Sequence, residues 1–202
     1  MRRGITSRPG LPLPGGRWDH HGMASYVALL RGINVGGKNL IRMADLAASF
    51  GDAGFRDVRT YIQSGNVLFT AEGTDGPEIE NTVQRMLEAR FRFPILVVLR
   101  SRDELAATIA AAPANHGSSQ LRSDVFFLKH PLTAEAAYAQ LPELREGVDA
   151  VALGPGAIYF SRVAAQASKT RITRLMSMPV YQQMTVRNWR TTTRLFRMID
   201  EG

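Results

Sequence analysis

Apolar positions along the chain change period several times, and each change marks an element. Tyr26-Val27-Ala28-Leu29-Leu30-Arg31 is an apolar run of strand length that leads into a glycine-rich loop. Met43, Leu46, Ala47 and Phe50 then recur at helical spacing, and Gly51 and Gly54 close that helix. Asp57 to Gln63 and Val67 to Thr70 are β-rich runs on either side of Ser64-Gly65-Asn66. This predicts a hairpin with Gly65 or Asn66 at positive φ. From Pro77 the series Ile79, Val83, Met86, Leu87, Phe91 predicts a second helix with proline in its first turn. Ile95 to Leu99 reads as a buried strand. The order β-α-β-β-α-β is the ferredoxin-like split arrangement.

The second half reads as a looser copy. Asp103 to Ala112 is a linking helix, Val125 to Leu128 a strand and Ala134 to Leu141 a helix. Ala150 to Leu153 and Ala157 to Phe160 are strands around Gly154-Pro155-Gly156, and a basic helix is predicted over roughly Val163 to Met176. A final helix runs from about Trp189 to Ile199, with Asn188 as its N-cap. First strands and hairpin turns recur in the same order roughly 90 to 98 residues apart, as in a duplicated unit. The expected fold is α+β: two tandem ferredoxin-like (βαββ-type) subdomains, 23–112 and 113–202, packed together with a C-terminal helix.

Composition narrows the function. The 202 residues are 45% hydrophobic and 21% charged, ordinary for a chain that buries a real core. No apolar run approaches the roughly 20 residues of a membrane span, so no membrane partner is expected. Cysteine is absent, which removes disulfides, thiol nucleophiles and cysteine-ligated metals and fits a reducing, cytoplasmic setting. Residues 1–22 are rich in proline and glycine, lack an apolar signal core and read as a disordered extension ahead of Met23, with His20 and His21 solvated.

Charge is unevenly spread. Of the formal +7, residues 162–202 hold eight basic side chains against Asp200 and Glu201, and no acid occurs from 162 to 199. Such a one-sign block suits an anionic partner, either nucleic acid or a phosphorylated small molecule. The plainer reading is a surface filled with arginine, since only three lysines accompany 22 arginines.

Gly32-Ile33-Asn34-Val35-Gly36-Gly37-Lys38-Asn39 misses the phosphate-binding pattern G-x-x-x-x-G-K-[ST] by one residue, Asn39 standing where a hydroxyl should bind Mg²⁺. No apolar strand ends in an aspartate to complete a nucleotide-hydrolysis site. The stretch is therefore either an anion-holding turn or a structural one. If the first strand and the hairpin share a sheet, Arg31, Asn34, Gln63 and Asn66 converge into a polar cluster able to hold a carboxylate or phosphate. The expected anion-binding cleft is lined by Arg31, Asn34, Gly36, Gly37, Lys38, Asn39, Ser64, Gly65 and Asn66 and closed by Arg187 and Asn188. Arg187-Asn188-Trp189-Arg190 sets an aromatic between arginines at a helix start, suited to stacking on a base or, more plainly, to core packing and capping. His116 and His130 stand alone in sequence. Neither a metal nor a cofactor is called for. An enzyme acting on a small phosphorylated or carboxylated substrate in that cleft, or a scaffold for a protein contact, are the alternatives to a binding protein.

LLRGINVGGKNLIRMADL, TYIQSGNVLF and MTVRNWRTTTRL, in this order, resemble the bacterial family catalogued as domain of unknown function 1697, over about residues 24 to 200. The resemblance implies two ferredoxin-like subdomains and no established activity. Its signature falls on Arg31, Gly32, Asn34, Gly36, Gly37, Asn39, Met43, Ser64, Gly65, Asn66, Thr185, Arg187, Asn188 and Thr191.

Overall fold

β1 (Met23–Arg31), α1 (Met43–Asp52), β2 (Arg56–Tyr61), β3 (Asn66–Glu72), α2 (Gly76–Phe91) and β4 (Leu96–Ser101) follow in the predicted order, and α3 (Arg102–Ala110) leads to the second half. The computed structural model describes residues 22–73 and 75–201. The expected N-terminal extension, Gly22 excepted, lies outside them. β5 (Leu121–Leu128), α4 (Ala134–Tyr138), β6 (Asp149–Gly154), β7 (Ala157–Val163), α5 (Ile172–Ser177), β8 (Met184–Asn188) and α6 (Trp189–Asp200) complete the chain.

The strands form two four-stranded antiparallel sheets, ordered β2-β3-β1-β4 and β6-β7-β5-β8. Each strand of the second sheet takes the place of its counterpart in the first. Registers agree as well: Ala28 faces Val67, and Phe126 faces Ile158 on the equivalent rung. Each sheet's last strand runs straight into a side-chain-capped helix. Ser101 accepts from the Glu104 amide at 3.2 Å to start α3, and Asn188 accepts from the Thr191 amide at 2.8 Å to start α6.

Strand alternation sorts the core into three clusters. Leu30, Val67, Phe69 and Val97 face α1 and α2 through Leu46, Phe50, Val83 and Leu87. Phe126, Ile158 and Phe160 pack with Ala137 of α4 and Leu175 of α5. The remaining faces meet in the middle, where Val27, Leu29, Val125, Phe127 and Tyr159 join Leu105 of α3 and Leu195 of α6. Each such buried side chain contributes about 1.5–3 kcal/mol, so the central cluster fastens the two sheets together.

Two expectations fail in the second half. The helix predicted to reach Leu141 stops at Tyr138, just ahead of the Leu141-Pro142 pair, where proline disfavours helical backbone at the residue before it. The basic helix over Val163 to Met176 is broken into a 3-10 segment, Ala164–Lys169, and the short α5. Asp149 breaks it: one carboxylate oxygen accepts from the Thr170 hydroxyl at 2.6 Å and the other from the Arg171 amide at 2.9 Å. The final helix begins at Trp189 with Asn188 as its cap, as expected, and the residues before it form an additional strand, β8, paired with β5. Among the described residues no helix is long and apolar enough to cross a membrane.

Candidate functional site

The glycine loop is a miniature hairpin. Val35 and Lys38 pair across a two-residue turn in which Gly36 (φ 58) and Gly37 (φ 73) are both left-handed, the conformation that makes glycine the cheapest choice there. Asn34 and Asn39, at φ 54 and 51, are left-handed too. The Asn34 amide group donates to Ile41 O and Gln63 O at 3.0 Å each, and its oxygen accepts from the Ile41 amide at 2.8 Å. Asn39 donates to Gly32 O at 2.8 Å. Both asparagines thus shape the loop. α1 begins only at Met43, so the loop does not run directly into a helix as a phosphate-binding loop does.

Next to it, the β2–β3 turn carries Gly65 at φ 79, while Asn66 opens β3 fully buried. Asn66 donates to Tyr61 O at 2.9 Å and to the Ser64 hydroxyl at 3.2 Å, and its oxygen accepts from Arg187 Nε at 2.5 Å. Arg187 spends its other donors on Val186 O (2.8 Å), the Thr185 hydroxyl (3.0 Å), Leu30 O (2.7 Å), Ser64 O and Gly65 O (both 3.1 Å). Burial pulls its guanidinium down to about 10, and nearby Tyr181 offsets only part of that. Arg31 crosses the same junction. It donates to Tyr181 O, to Met184 O at 3.2 Å and to Gln182 Oε1 at 2.7 Å, and lies 4.4 Å over the Tyr181 ring.

Arg31, Asn34, Ser64, Gly65, Asn66 and Arg187 therefore meet at one end of the two sheets, as a packed junction whose inward polar groups are hydrogen-bonded within the protein. Gly36, Gly37 and Lys38 stand at its exposed tip. Around them Val35, Leu40 and Ile62 are 66%, 74% and 48% exposed. Asn188 is elsewhere. It caps α6 and lines a depression of about 380 Å³ with Gly117, Ser123, Trp189 and Arg190. Trp189 packs edge-on to His116 at 4.8 Å and over Gly117, where a Cβ would lie 2.1 Å from the indole.

One charged cluster escaped the sequence reading, which left His130 isolated. His130 lies between two carboxylates, with Nδ1 3.3 Å from Glu80 and Nε2 3.5 Å from Glu104. Fully buried Glu80 also accepts from the Leu99 amide at 2.8 Å, the Lys129 ammonium at 3.1 Å and the His130 amide at 3.2 Å. The hydrogen bonds to Glu104 and Glu80 raise His130 to about 9. Burial would push Glu104 up, but His130, the Ser101 amide and Arg100 outweigh it and bring the carboxyl to about 2. Arg100, 1% exposed, donates to Leu99 O, Leu128 O and Gly156 O at 2.5 Å each. No local motif signals these partners, which come from α2, β4, α3 and the segment after β5. Among the described residues no group of three or more His, Asp or Glu side chains could hold a metal ion.

Fold and junction together define a two-sheet α+β protein whose halves are bolted by buried arginines and one ion cluster. The match of residues 23–159 to DUF1697, a family described as protein of unknown function, shows that the chain belongs to that family. It is also similar to the solved structure of the conserved bacterial protein SP0830 from Streptococcus pneumoniae. That comparison gives a TM-score of 0.78 at 27% identity, over 88% of this chain and 99% of the other. No curated protein matches.

Proposed function

We propose that this chain is a cytoplasmic binding protein built from two ferredoxin-like subdomains, 23–112 and 113–202, that takes a polyanionic partner, nucleic acid, along α6. The sheet orders β2-β3-β1-β4 and β6-β7-β5-β8 support the subdomain reading. The observation that carries the function is the exposed row Arg190, Arg194 and Arg197. At i, i+4 and i+7 these share one face of α6, opposite buried Thr191, Thr192, Leu195 and Ile199. Arg102, Arg162 and Arg171 each have a carboxylate partner, whereas these three have none among the described residues. Asn188 and Arg190 also flank the depression at the helix N-terminus, where amide N–H groups favour phosphate.

This moves the anionic partner from the Arg31–Asn34–Asn66–Arg187 junction, whose donors are spent internally, to the α6 face. Lys38, exposed on the glycine turn, is a weaker contact. Val35, Leu40 and Ile62 favour a second reading, in which the loop tip meets another protein. The enzyme alternative draws no support from the junction.

Fluorescence anisotropy with a short labelled oligonucleotide tests the proposal. Replacing Arg190, Arg194 and Arg197 by alanine together should weaken binding at least tenfold and flatten the log–log salt slope by roughly 0.9 per lost phosphate contact on a duplex. Equal affinity and slope in wild type and variant would overturn it.

A further inference from the structure

A cavity of about 400 Å³ opens in the second half between β6, β7 and the linker that follows α3. Its floor is Ala152, Tyr159 and Ser161, and Pro113, Asn115 and Leu121 form its wall. The first half shows why it exists. Arg59 pairs with Leu68 in the first sheet, and Ala152 pairs with Tyr159 on the equivalent rung of the second. Arg59 reaches across to donate to Met198 O at 2.7 Å, and Ile199 is buried in the central cluster with Leu68. Counting from the caps Ser101 and Asn188, Met198 and Ile199 correspond to Ala111 and Ala112. Arginine, methionine and isoleucine on one side are thus three alanines on the other. α3 also ends at Ala110, whereas α6 continues to Asp200. The space that the first half fills, the second leaves open.

The open space has a polar anchor. Ser161 lies 3.0 Å from Nδ1 of His116, a ring 7% exposed whose Nε2 has no hydrogen-bond partner among the described residues. Whichever ring nitrogen carries the proton, the Ser161 oxygen keeps a lone pair for an incoming donor. Burial lowers the His116 pKa, so the anchor is uncharged at neutral pH. Asp149, on the rim, already accepts from Thr170, Arg145 and Arg171 and would repel an anion.

The geometry points to a binding site for a small uncharged aromatic molecule with a single hydrogen-bond donor, its ring against half-buried Pro113, Leu121 and Ala152 and its donor on Ser161. The site is separate from the α6 face and does not depend on it. p-Cresol, indole and benzoate should be titrated into the labelled full-length chain while amide chemical shifts are followed. p-Cresol and indole should shift Asn115, Ala152 and Ser161, and benzoate should bind at least tenfold more weakly. Ala152→Leu, or Ala152→Val if the first fails to fold, should abolish the shifts by adding bulk at the rung where the first half carries Arg59. Ser161→Ala should lower affinity roughly tenfold, the loss of one hydrogen bond. The assignment is overturned if benzoate binds as well as p-cresol, if the filled variants still bind, if Ser161→Ala binds unchanged, or if no probe shifts these residues.

Discussion

Arg100 and Arg187 stand on equivalent rungs and reach into opposite halves of the molecule. Arg100 faces Val27 across β1 and β4, and Arg187 faces Val125 across β5 and β8. Arg100 donates to Leu128 O and Gly156 O, and Arg187 donates to Leu30 O and Gly65 O. Those acceptors also correspond, for Leu30 donates its amide to Gly65 O and Leu128 its amide to Gly156 O. The surroundings differ in one respect. Burial depresses both arginines, but Glu104 and Glu80 offset it at Arg100, while only Tyr181 does so at Arg187.

Removing Arg187 should therefore be severe. Alanine there leaves Ser64 O and the Asn66 oxygen without their buried donor and Leu30 O with only the 3.4 Å Thr185 contact, while Gly65 O keeps the Leu30 amide. The loss is on the order of 3 kcal/mol, about 1 kcal/mol for each buried acceptor. Lysine carries the charge but not the five-donor fork, and should recover only part. Urea denaturation measures both, and a loss below about 1 kcal/mol for alanine would show the carbonyl cage to be unimportant.

Stability should fall on the alkaline side through His130. Its folded pKa, about 9, lies above the ordinary 6.5, so its contribution is complete below pH 6.5 and vanishes as pH rises through 9. With the side chain 27% exposed, the loss is on the order of 1–2 kcal/mol. Glu104 acts at the other end: its depressed pKa gives stability that is present above pH 4.5 and lost as pH falls through 2. Denaturation midpoints at pH 6 and pH 10, with His130→Gln as control, test the first limb; a slope that persists in the control assigns it elsewhere.

Asn34→Ala should loosen the glycine loop without melting the core. It deletes three hydrogen bonds that tie the loop to Ile41 and Gln63, worth about 1–3 kcal/mol together. Hydrogen exchange should speed up from Val35 to Ile41 and stay unchanged in β3. Uniform acceleration would place the residue in the global folding unit instead.

The first half was legible because its apolar runs are long and bounded by glycine and proline. β8 was not, because five residues holding a buried arginine read as polar surface. The junction was half legible. Sequence brought Arg31, Asn34, Asn66 and Arg187 under suspicion together, but Arg187 meets Asn66 across 121 positions of chain. Whether amides at such a meeting face a ligand or one another depends on the packing between the sheets, which no local pattern encodes. His130 and Glu80 were missed for the same reason, being 50 residues apart with no motif linking them.

The crossed arginines make each half the completion of the other. Isolated, either half would expose to water an arginine and hairpin carbonyls that pair across the junction in the whole molecule. The chain should consequently melt in one transition, like an obligate homodimer whose two subunits have been sewn into one polypeptide. Fragments cut between α3 and β5 should be unfolded apart and regain structure only when mixed.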